Sequence, residues 1–222
     1  MSTPKLVYFQ FYSRAESIRM LCSKANIDYT NEAIDFGEWG SRKESGVYPK
    51  GYQMPIWITE DGTPLNQSSA IFRYVARQAN LTPEGHQAAY LLDWACETVG
   101  DFMAKHPYFL FIGEGMGHPP NDEMRDTVIN AFKSLCTQID KVCQENGGKF
   151  VNGNDSVSAA DIMLFSVFAS YPFNKKDDVK PEYTSAFREA LKEFDGTAVG
   201  NWANAMKTEF ESYLQTRDQY AC

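Results

Sequence analysis

The sequence predicts a chain of two parts, an α/β domain followed by an all-α domain. Over about the first 80 residues, strand-like runs and helical periods follow one another in the order β-α-β-loop-β-β-α. After this region the strand-like runs stop, and helical periods dominate up to residue 216. The chain of 222 residues is also longer than one small core needs. We therefore expect a domain boundary near residues 80–85.

The first three elements form a βαβ unit. An apolar, aromatic run at residues 5–11 is typical of a strand, and it contains Tyr8. From Arg14 to Ala25 the apolar residues recur with the period of a helix. Residues 28–34 are predicted to be a second strand, so the connection should be a right-handed crossover between parallel strands.

A loop and a hairpin come next. Residues 37–51 are predicted to be a loop, because no strand or helical period runs through them. Residues 54–59 and 63–65 are predicted as two short strands joined by Asp61-Gly62, a dipeptide favoured in tight hairpin turns. Since a proline opens the first of these strands, the Met54–Pro55 bond is a candidate for the cis form.

The remaining periods are all helical. The first of them, from Gln67 to Gln78, closes the α/β part. Five longer periods follow in the second part, at residues 84–106, 122–146, 158–171, 182–194 and 199–216. The longest turn-rich break between them spans residues 113–120.

Charge and the N-terminus argue against several classes of protein. The formal net charge is −8, whereas affinity for nucleic acids or anionic membranes rests on Lys and Arg. No apolar stretch approaches the length of a membrane-spanning helix, and the N-terminal residues lack the apolar centre of a signal peptide. We therefore expect a cytoplasmic protein that binds neither nucleic acid nor membranes.

The cysteines and histidines do not predict a metal site. The five cysteines show no metal-ligand spacing, and the three histidines are scattered. Reduced, mostly buried thiols in a cytosolic protein are the expected state of these cysteines. The expected metal content is therefore none.

The junction between the first strand and the first helix is the most informative place for chemistry. A helix that starts directly after a strand directs its free N–H groups and positive dipole end at whatever lies in front. Such a junction can hold an anion, and a thiolate is an anion. No Cys-x-x-Cys occurs there, which disfavours a thiol–disulfide oxidoreductase. Ser13 at the helix start is predicted first of all to be the N-cap.

Seven short motifs, taken in their order and spacing, carry a resemblance to a known family over nearly the whole chain. They lie at residues 6–9, 14–19, 53–56, 61–62, 66–74, 101–103 and 153–161, and the first reads Leu6-Val-Tyr-Phe9 and the second Arg14-Ala-Glu-x-Ile-Arg19. The chain thereby resembles the cytosolic glutathione transferases, and most nearly their tyrosine-type sigma class. The resemblance implies a thioredoxin-like glutathione-binding domain at residues 1–81. It also implies an all-helical domain at residues 82–222, which contributes the electrophile site and the contacts of a homodimer.

The implied function is the transfer of glutathione, a co-substrate, to small hydrophobic electrophiles. A second enzymatic possibility is the glutathione-dependent isomerisation of a prostaglandin-type peroxide. A third is a non-catalytic ligand-binding or crystallin-like protein, since a fold does not fix a function. Retention of Tyr8, Gln67 and Ser68 favours the enzyme.

Tyr8 is the candidate catalytic group, with Arg14 as its electrostatic support. Lowering the pKa of a free thiol, about 8.5, by roughly two units requires about 2.7 kcal/mol. One hydrogen bond to a charged group supplies about 1.5–3 kcal/mol, so the Tyr8 hydroxyl suffices. The alternatives are that Tyr8 merely packs, that Ser13 is the activating hydroxyl, and that Arg14 forms a surface ion pair.

The resemblance assigns glutathione binding to Tyr8 and to residues further along the first domain, which are Trp39, Lys43, Gln53, Met54, Pro55, Gln67 and Ser68. Gln67 and Ser68 suit the γ-glutamyl carboxylate, with helix capping by Asn66 or Ser68 as the alternative. The backbone of Met54 would pair with the cysteinyl part like an added strand. Lys43 would neutralise the glycyl carboxylate, beside Trp39.

The second domain supplies the remaining candidates. Asp101 matches the acid that reaches across the dimer to the γ-glutamyl amine. The electrophile site is predicted to involve Ser13, Phe102, Met103, Tyr108 and Phe111, and for the last four the alternative is a place in the hydrophobic core. The chain departs from the family at Ser13, where glycine is usual, and in a longer stretch at residues 107–121, so the choice of electrophile stays open.

Overall fold

The computed structural model describes residues 2–82, 84–175, 180–220 and 222. The chain divides into two compact units, of which the first ends at Thr82 and the second extends to Cys222. The first unit combines a four-stranded sheet with helices, and in the described part of the second unit the regular elements are helices. The predicted fold class, an α/β part followed by an all-α part, is therefore confirmed.

The first unit is built on a mixed sheet. Its elements, in chain order, are β1 (Lys5–Phe9), α1 (Ser13–Ala25), β2 (Thr30–Ile34), α2 (Phe36–Glu44), β3 (Ile56–Ile58), β4 (Pro64–Asn66) and α3 (Ser68–Gln78). The strand order is β2-β1-β3-β4, with β1 parallel to β2 and the two pairs β1/β3 and β3/β4 antiparallel. Both the βαβ unit and the hairpin therefore agree with the prediction, and the Met54–Pro55 bond is cis.

Apolar side chains on β1 and on its neighbours explain why this sheet forms. Val7 on β1 and Ile56 on β3 are paired in register, and both are fully buried. They belong to one cluster with Ile34, Trp39 and Tyr48. Because buried apolar area drives folding, this cluster fixes the register of the central strands.

The helix α2 corrects the prediction of a loop at residues 37–51. Two glycines, Gly37 and Gly40, each lower the stability of the helix by about 1 kcal/mol relative to alanine. Because glycine is a poor helix former, the sequence pattern did not predict a helix here. Two other features offset that cost. Asp35 is an N-cap whose carboxylate accepts a hydrogen bond of 2.7 Å from the Glu38 N–H, and Trp39 is buried. The helix therefore forms through its cap and through tertiary packing.

The second unit contains seven α-helices in its described part. They are α4 (His86–Met103), α5 (Phe109–Ile112), α6 (Asp122–Asn146), α7 (Ala159–Ser170), α8 (Pro181–Lys192), α9 (Ala198–Glu209) and α10 (Glu211–Thr216). The predicted helix at 199–216 is divided at Phe210, and the stretch at 107–121 contains α5 and a short 3-10 helix at Glu114–Met116. The other long helical periods correspond to observed helices.

Helix α7 is the centre of the second unit, and all twelve of its residues are buried. It starts with a capping box, in which Ser158 accepts from the Asp161 N–H while Asp161 accepts from the Ser158 N–H. The Asp161 carboxylate also accepts hydrogen bonds of 2.9 Å from the Val151 N–H and 2.8 Å from the Trp202 indole. Burial raises the pKa of this carboxyl, and these donors act against that rise.

Candidate active site

Tyr8 lies near the end of the inner strand β1, which is paired on both sides. Its register partner on β2 is Ala33, and the adjacent Val7 pairs with Ile56 on β3. The side chain is only 5% exposed. A tyrosine in such a place has a fixed backbone, which suits a group that must be aimed at a reacting atom.

Aromatic rings and one arginine surround the Tyr8 ring. The ring centroids of Phe9 and Phe11 lie 5.6 and 6.5 Å from that of Tyr8. The guanidinium carbon of Arg19 lies 5.8 Å from the Tyr8 ring centroid. Phe36 extends the aromatic group, with its centroid 4.4 Å from that of Phe9, and it is exposed.

The start of α1 corrects the prediction that Ser13 is the N-cap. Tyr12 occupies the N-cap position without a side-chain capping bond, and Ser13 is the first helical residue. The φ angle of Ser13 is 34°, in the left-handed region that favours glycine, and its side chain is 2% exposed. Glycine is usual at this position in the family that the chain resembles, and Ser13 adopts the backbone conformation that glycine favours. Arg14, the next residue, is half-buried.

Trp39 and Lys43 come together on α2. Trp39 is buried, and the Lys43 ammonium lies 5.3 Å from its ring centroid. Arg42, between them in the chain, pairs with Glu32 on β2 and donates to the Tyr48 hydroxyl at 3.3 Å. The helix that carries both predicted residues is therefore tied to the sheet by an ion pair, and Trp39 contacts Tyr48 in the loop that follows the helix.

Gln53, Met54 and Pro55 precede β3, and their burial increases along the chain. Gln53 is exposed, Met54 is half-buried against the cluster of Val7 and Ile56, and Pro55 is buried. Because β3 is already paired on both edges, it has no free edge for an extended ligand, whereas the segment before it lies outside the strands of the sheet. This is where the sequence predicts the backbone contact of Met54.

The start of α3 does not show the capping that the sequence offered as an alternative. Gln67 occupies the N-cap position with a φ angle of 72° and no side-chain capping bond, and Ser68 is the first helical residue. Neither Asn66 nor Ser68 is therefore the N-cap. Gln67 is exposed, so its amide faces solvent at the positive end of the helix.

In the second unit, Phe102, Met103 and Phe111 lie in the hydrophobic interior. All three are buried, and the ring centroids of Phe102 and Phe111 each lie 5.8 Å from that of Tyr171. These contacts support the core alternative. Tyr108 is half-buried, with its hydroxyl 2.8 Å from the His106 ring, and Asp101 is exposed on α4.

The cysteines are free and buried, as predicted: Cys22, Cys96, Cys136, Cys143 and Cys222. Burial raises the pKa of the Cys22 and Cys143 thiols to about 12, so neither is a thiolate at neutral pH. Within the described residues, no three His, Cys, Asp or Glu side chains are grouped as a metal site requires. No helix in the described ranges is long and apolar enough to cross a membrane.

Sequence reasoning missed two features of this site, Arg19 and the aromatic group of Phe9, Phe11 and Phe36. Arg19 carried a signal, since it lies on α1 between Ile18 and Met20 in a run that is otherwise mostly apolar. A charged residue in such a run is either exposed or held by partners, and the sequence alone does not distinguish these.

Comparison with known proteins identifies the family. The model of the glutathione S-transferase N-terminal domain matches residues 4–77. A probable glutathione S-transferase 6 of Caenorhabditis elegans is 32% identical over 161 residues, covering 72% of this chain and 76% of that protein. The hematopoietic prostaglandin D synthase of Gallus gallus is 33% identical over 108 residues, covering 49% and 52%.

Among solved structures, a Nu-class GST from Haemonchus contortus superposes over 100% of both chains with a TM-score of 0.74 and 25% identity. This similarity extends through the second unit, beyond the residues matched by the domain model. The first unit is accordingly thioredoxin-like, as the resemblance predicts. The Caenorhabditis elegans relative is more than 30% identical, and the chain covers three quarters of its length. The chain therefore belongs to the glutathione S-transferase family, and it is a glutathione transferase.

Proposed function

We propose that this transferase is of the tyrosine type, similar to the sigma class, and that Tyr8 activates glutathione. The observation that carries the proposal is a phenol held rigidly on the central strand, next to the start of α1. The Tyr8 hydroxyl donates a hydrogen bond to the glutathione sulfur and favours its ionised form. The positive end of α1, together with Arg14, adds electrostatic support. The thiolate then attacks the electrophile, with binding in one site supplying proximity.

The pH dependence of kcat/KM tests this assignment. A free thiol ionises with a pKa of about 8.5, so an activated thiol must show a midpoint clearly below that value. We expect kcat/KM with an aryl halide to rise with a midpoint about two pH units lower. A midpoint that stays near that of free glutathione would contradict activation by this site.

Glutathione is proposed to lie along the first unit, from α3 to α2. Gln67 and Ser68 receive the γ-glutamyl carboxylate at the start of α3, and the backbone of Met54, between Gln53 and Pro55, pairs with the cysteinyl part. Lys43 binds the glycyl carboxylate. Two contacts support this arrangement. Lys43 lies next to Trp39 on α2, and the ion pair of Arg42 with Glu32 holds that helix against β2.

Gln67→Ala and Ser68→Ala should each weaken glutathione binding by about tenfold, with a smaller change in kcat. They hold the end of glutathione that is remote from the sulfur, so they contribute binding that substrate and transition state share. Calorimetric titration with glutathione measures the effect. Gln78→Ala, at the other end of α3, is the matched control and should bind normally. Unchanged affinity in both variants would remove these residues from the site.

We further propose a two-fold symmetric homodimer in which Asp101 binds the γ-glutamyl amine in the site of the partner. Its exposure on α4 leaves the carboxylate available for such a contact. The buried, free cysteines are in keeping with the reducing cytoplasm as the location.

Mixing Tyr8→Phe subunits with Asp101→Ala subunits tests the shared site. A heterodimer would carry one site with both defects and one intact site, so activity should recover above that of either parent. Subunit exchange is verified by mass spectrometry of the mixture. If exchange occurs without recovery, Asp101 acts within its own chain or has no part in binding.

The electrophile is proposed to be small and hydrophobic. Tyr108, which is half-buried, is the strongest of the predicted residues to contact it, since Phe102, Met103 and Phe111 pack in the interior of the second unit and Ser13 is buried as well. The Gallus relative named as a prostaglandin D synthase makes isomerisation of a prostaglandin-type peroxide the alternative to include in a substrate panel. Turnover of aryl halides, enals and hydroperoxides, compared with such a prostaglandin-type peroxide at equal concentration, separates the two activities. A crystallin-like protein would turn over none of them.

A further inference from the structure

Arg19 is a buried charge that the transferase chemistry described so far does not use. It lies on α1 and is only 5% exposed, next to Glu16, which is fully buried. One guanidinium nitrogen, Nη1, lies 3.4 Å from a carboxylate oxygen of Glu16. Burying such a pair costs desolvation energy that apolar residues of similar volume would not incur. Stability alone is therefore a weak reason for an ion pair in this place.

The same guanidinium connects three parts of the first unit. Nη1 donates to the carbonyl oxygens of Phe11, at 2.9 Å, and Tyr12, at 3.4 Å, both in the loop between β1 and α1. Nε donates to the side-chain oxygen of Asn31 on β2 at 3.2 Å. These contacts fix the loop that ends at Ser13, because the planar guanidinium presents its donors in a rigid geometry.

The charge of Arg19 also lies over the ring of Tyr8, at 5.8 Å from its centroid. A cation at this distance from an aromatic ring is attracted by its π-electrons, and it favours the electron-rich phenolate over the phenol. The phenol thereby becomes a stronger hydrogen-bond donor. Around the guanidinium, α1 contributes the titratable Glu16 and β1 contributes Tyr8, whereas β2 contributes the neutral Asn31. Helix α3, which packs on α1, buries apolar residues there and also carries the half-buried, charged Arg73.

We propose that Arg19 is a positioning residue for catalysis, which holds the β1–α1 loop and strengthens the Tyr8 hydroxyl as a donor to the glutathione sulfur. The proposal rests on the proposed role of Tyr8. It predicts that the effect of Arg19 on thiol ionisation passes through the Tyr8 hydroxyl and is lost when that hydroxyl is absent.

The test measures the pKa of the bound glutathione thiol from the pH profile of kcat/KM with an aryl halide. The first variant is the pair Glu16→Gln with Arg19→Gln, which removes both charges and so leaves no unpaired buried carboxylate. We expect the thiol pKa to rise by about one unit, which is about tenfold in kcat/KM at pH values below it. Arg19→Lys retains a cation without the planar fork, and it should recover part of the shift.

A matched control and a second background make the result specific. Arg125→Gln removes a partly exposed arginine that is paired with Asp122 and Asp126 on α6, and it should leave the thiol pKa unchanged. In a Tyr8→Phe background, the Glu16/Arg19 pair should move the thiol pKa by much less than one unit. Thermal unfolding of each variant confirms that folded protein is being assayed.

Three results would overturn the inference. A full shift in the Tyr8→Phe background would mean that the charge acts without the hydroxyl. A fall in kcat with an unchanged thiol pKa, or loss of folding in both the Gln pair and Arg19→Lys, would assign Arg19 to stability alone. A mild Tyr8→Phe defect is a different outcome, because it refutes the role of Tyr8 itself.

Discussion

Tyr8→Phe should lower kcat/KM by about ten to a few hundred fold while glutathione still binds. The substitution removes one charge-assisted hydrogen bond to the sulfur, worth roughly 1.5–3 kcal/mol. The ring remains, so its packing against Phe9 and Phe11 and its place in β1 should be retained. The measurement is steady-state turnover across pH, together with calorimetric titration of glutathione. The pH midpoint should move towards that of the free thiol.

Two further variants show whether the effect belongs to Tyr8. Tyr74→Phe makes the same chemical change on α3, where the hydroxyl accepts a hydrogen bond from Gln78 at 3.1 Å, and it should have normal turnover. Ser13→Ala tests the rival hydroxyl at the start of α1. Greater damage from Ser13→Ala than from Tyr8→Phe would transfer the activating role to serine.

Asp161→Ala should destabilise the second unit more than any surface substitution, by about 3–5 kcal/mol. The carboxylate is fully buried and accepts from the Val151 N–H, the Trp202 indole and both the N–H and the hydroxyl of Ser158. Alanine leaves these donors buried without an acceptor, which costs far more than the loss of an average hydrogen bond. Asp161→Asn keeps the shape but presents an amide N–H₂ to donors, so we expect it to be intermediate.

Denaturant and thermal unfolding midpoints measure this effect, with far-UV circular dichroism as the signal. For a chain of this size, each kcal/mol shifts the thermal midpoint by about 2–4 °C. Asp155→Ala, at an exposed aspartate in the preceding loop, is the matched control and should unfold normally. Ser158→Ala should cost only about 1 kcal/mol, as expected for one cap. If Asp161→Ala unfolds like Asp155→Ala, the buried network carries little stability.

The features that could be predicted from sequence are those that depend on residues close together in the chain. The capping box of Ser158 and Asp161 can be recognised because its two partners are three residues apart and precede an apolar run. Likewise, Tyr8 stands in an apolar strand directly before a helical period. In each case the residues that determine the structure lie within one or two turns of one another.

The features that escaped prediction depend on contacts between distant segments or on backbone geometry. Helix α2 has a poor intrinsic propensity and forms because Asp35 caps it and Trp39 is buried. The left-handed φ of Ser13 follows from how the loop after β1 is held, and no residue type near it signals that conformation. The contacts of Arg19 could not be predicted either, because they are made with two different strands. Tyr8 lies on the strand before Arg19 in the chain, and Asn31 lies on the strand after it.

The burial of the cysteines has a consequence for the lifetime of the enzyme. An enzyme that works on electrophiles is itself exposed to alkylation, and its own thiols are the natural targets. Raising the pKa of the Cys22 thiol from about 8.5 in an open chain to about 12 lowers its thiolate fraction at neutral pH by about three-thousandfold. Burial also blocks the approach of the reagent. The sulfur of bound glutathione is then more nucleophilic than these buried thiols. Electrophilic substrates therefore react with glutathione rather than with the cysteines of the enzyme.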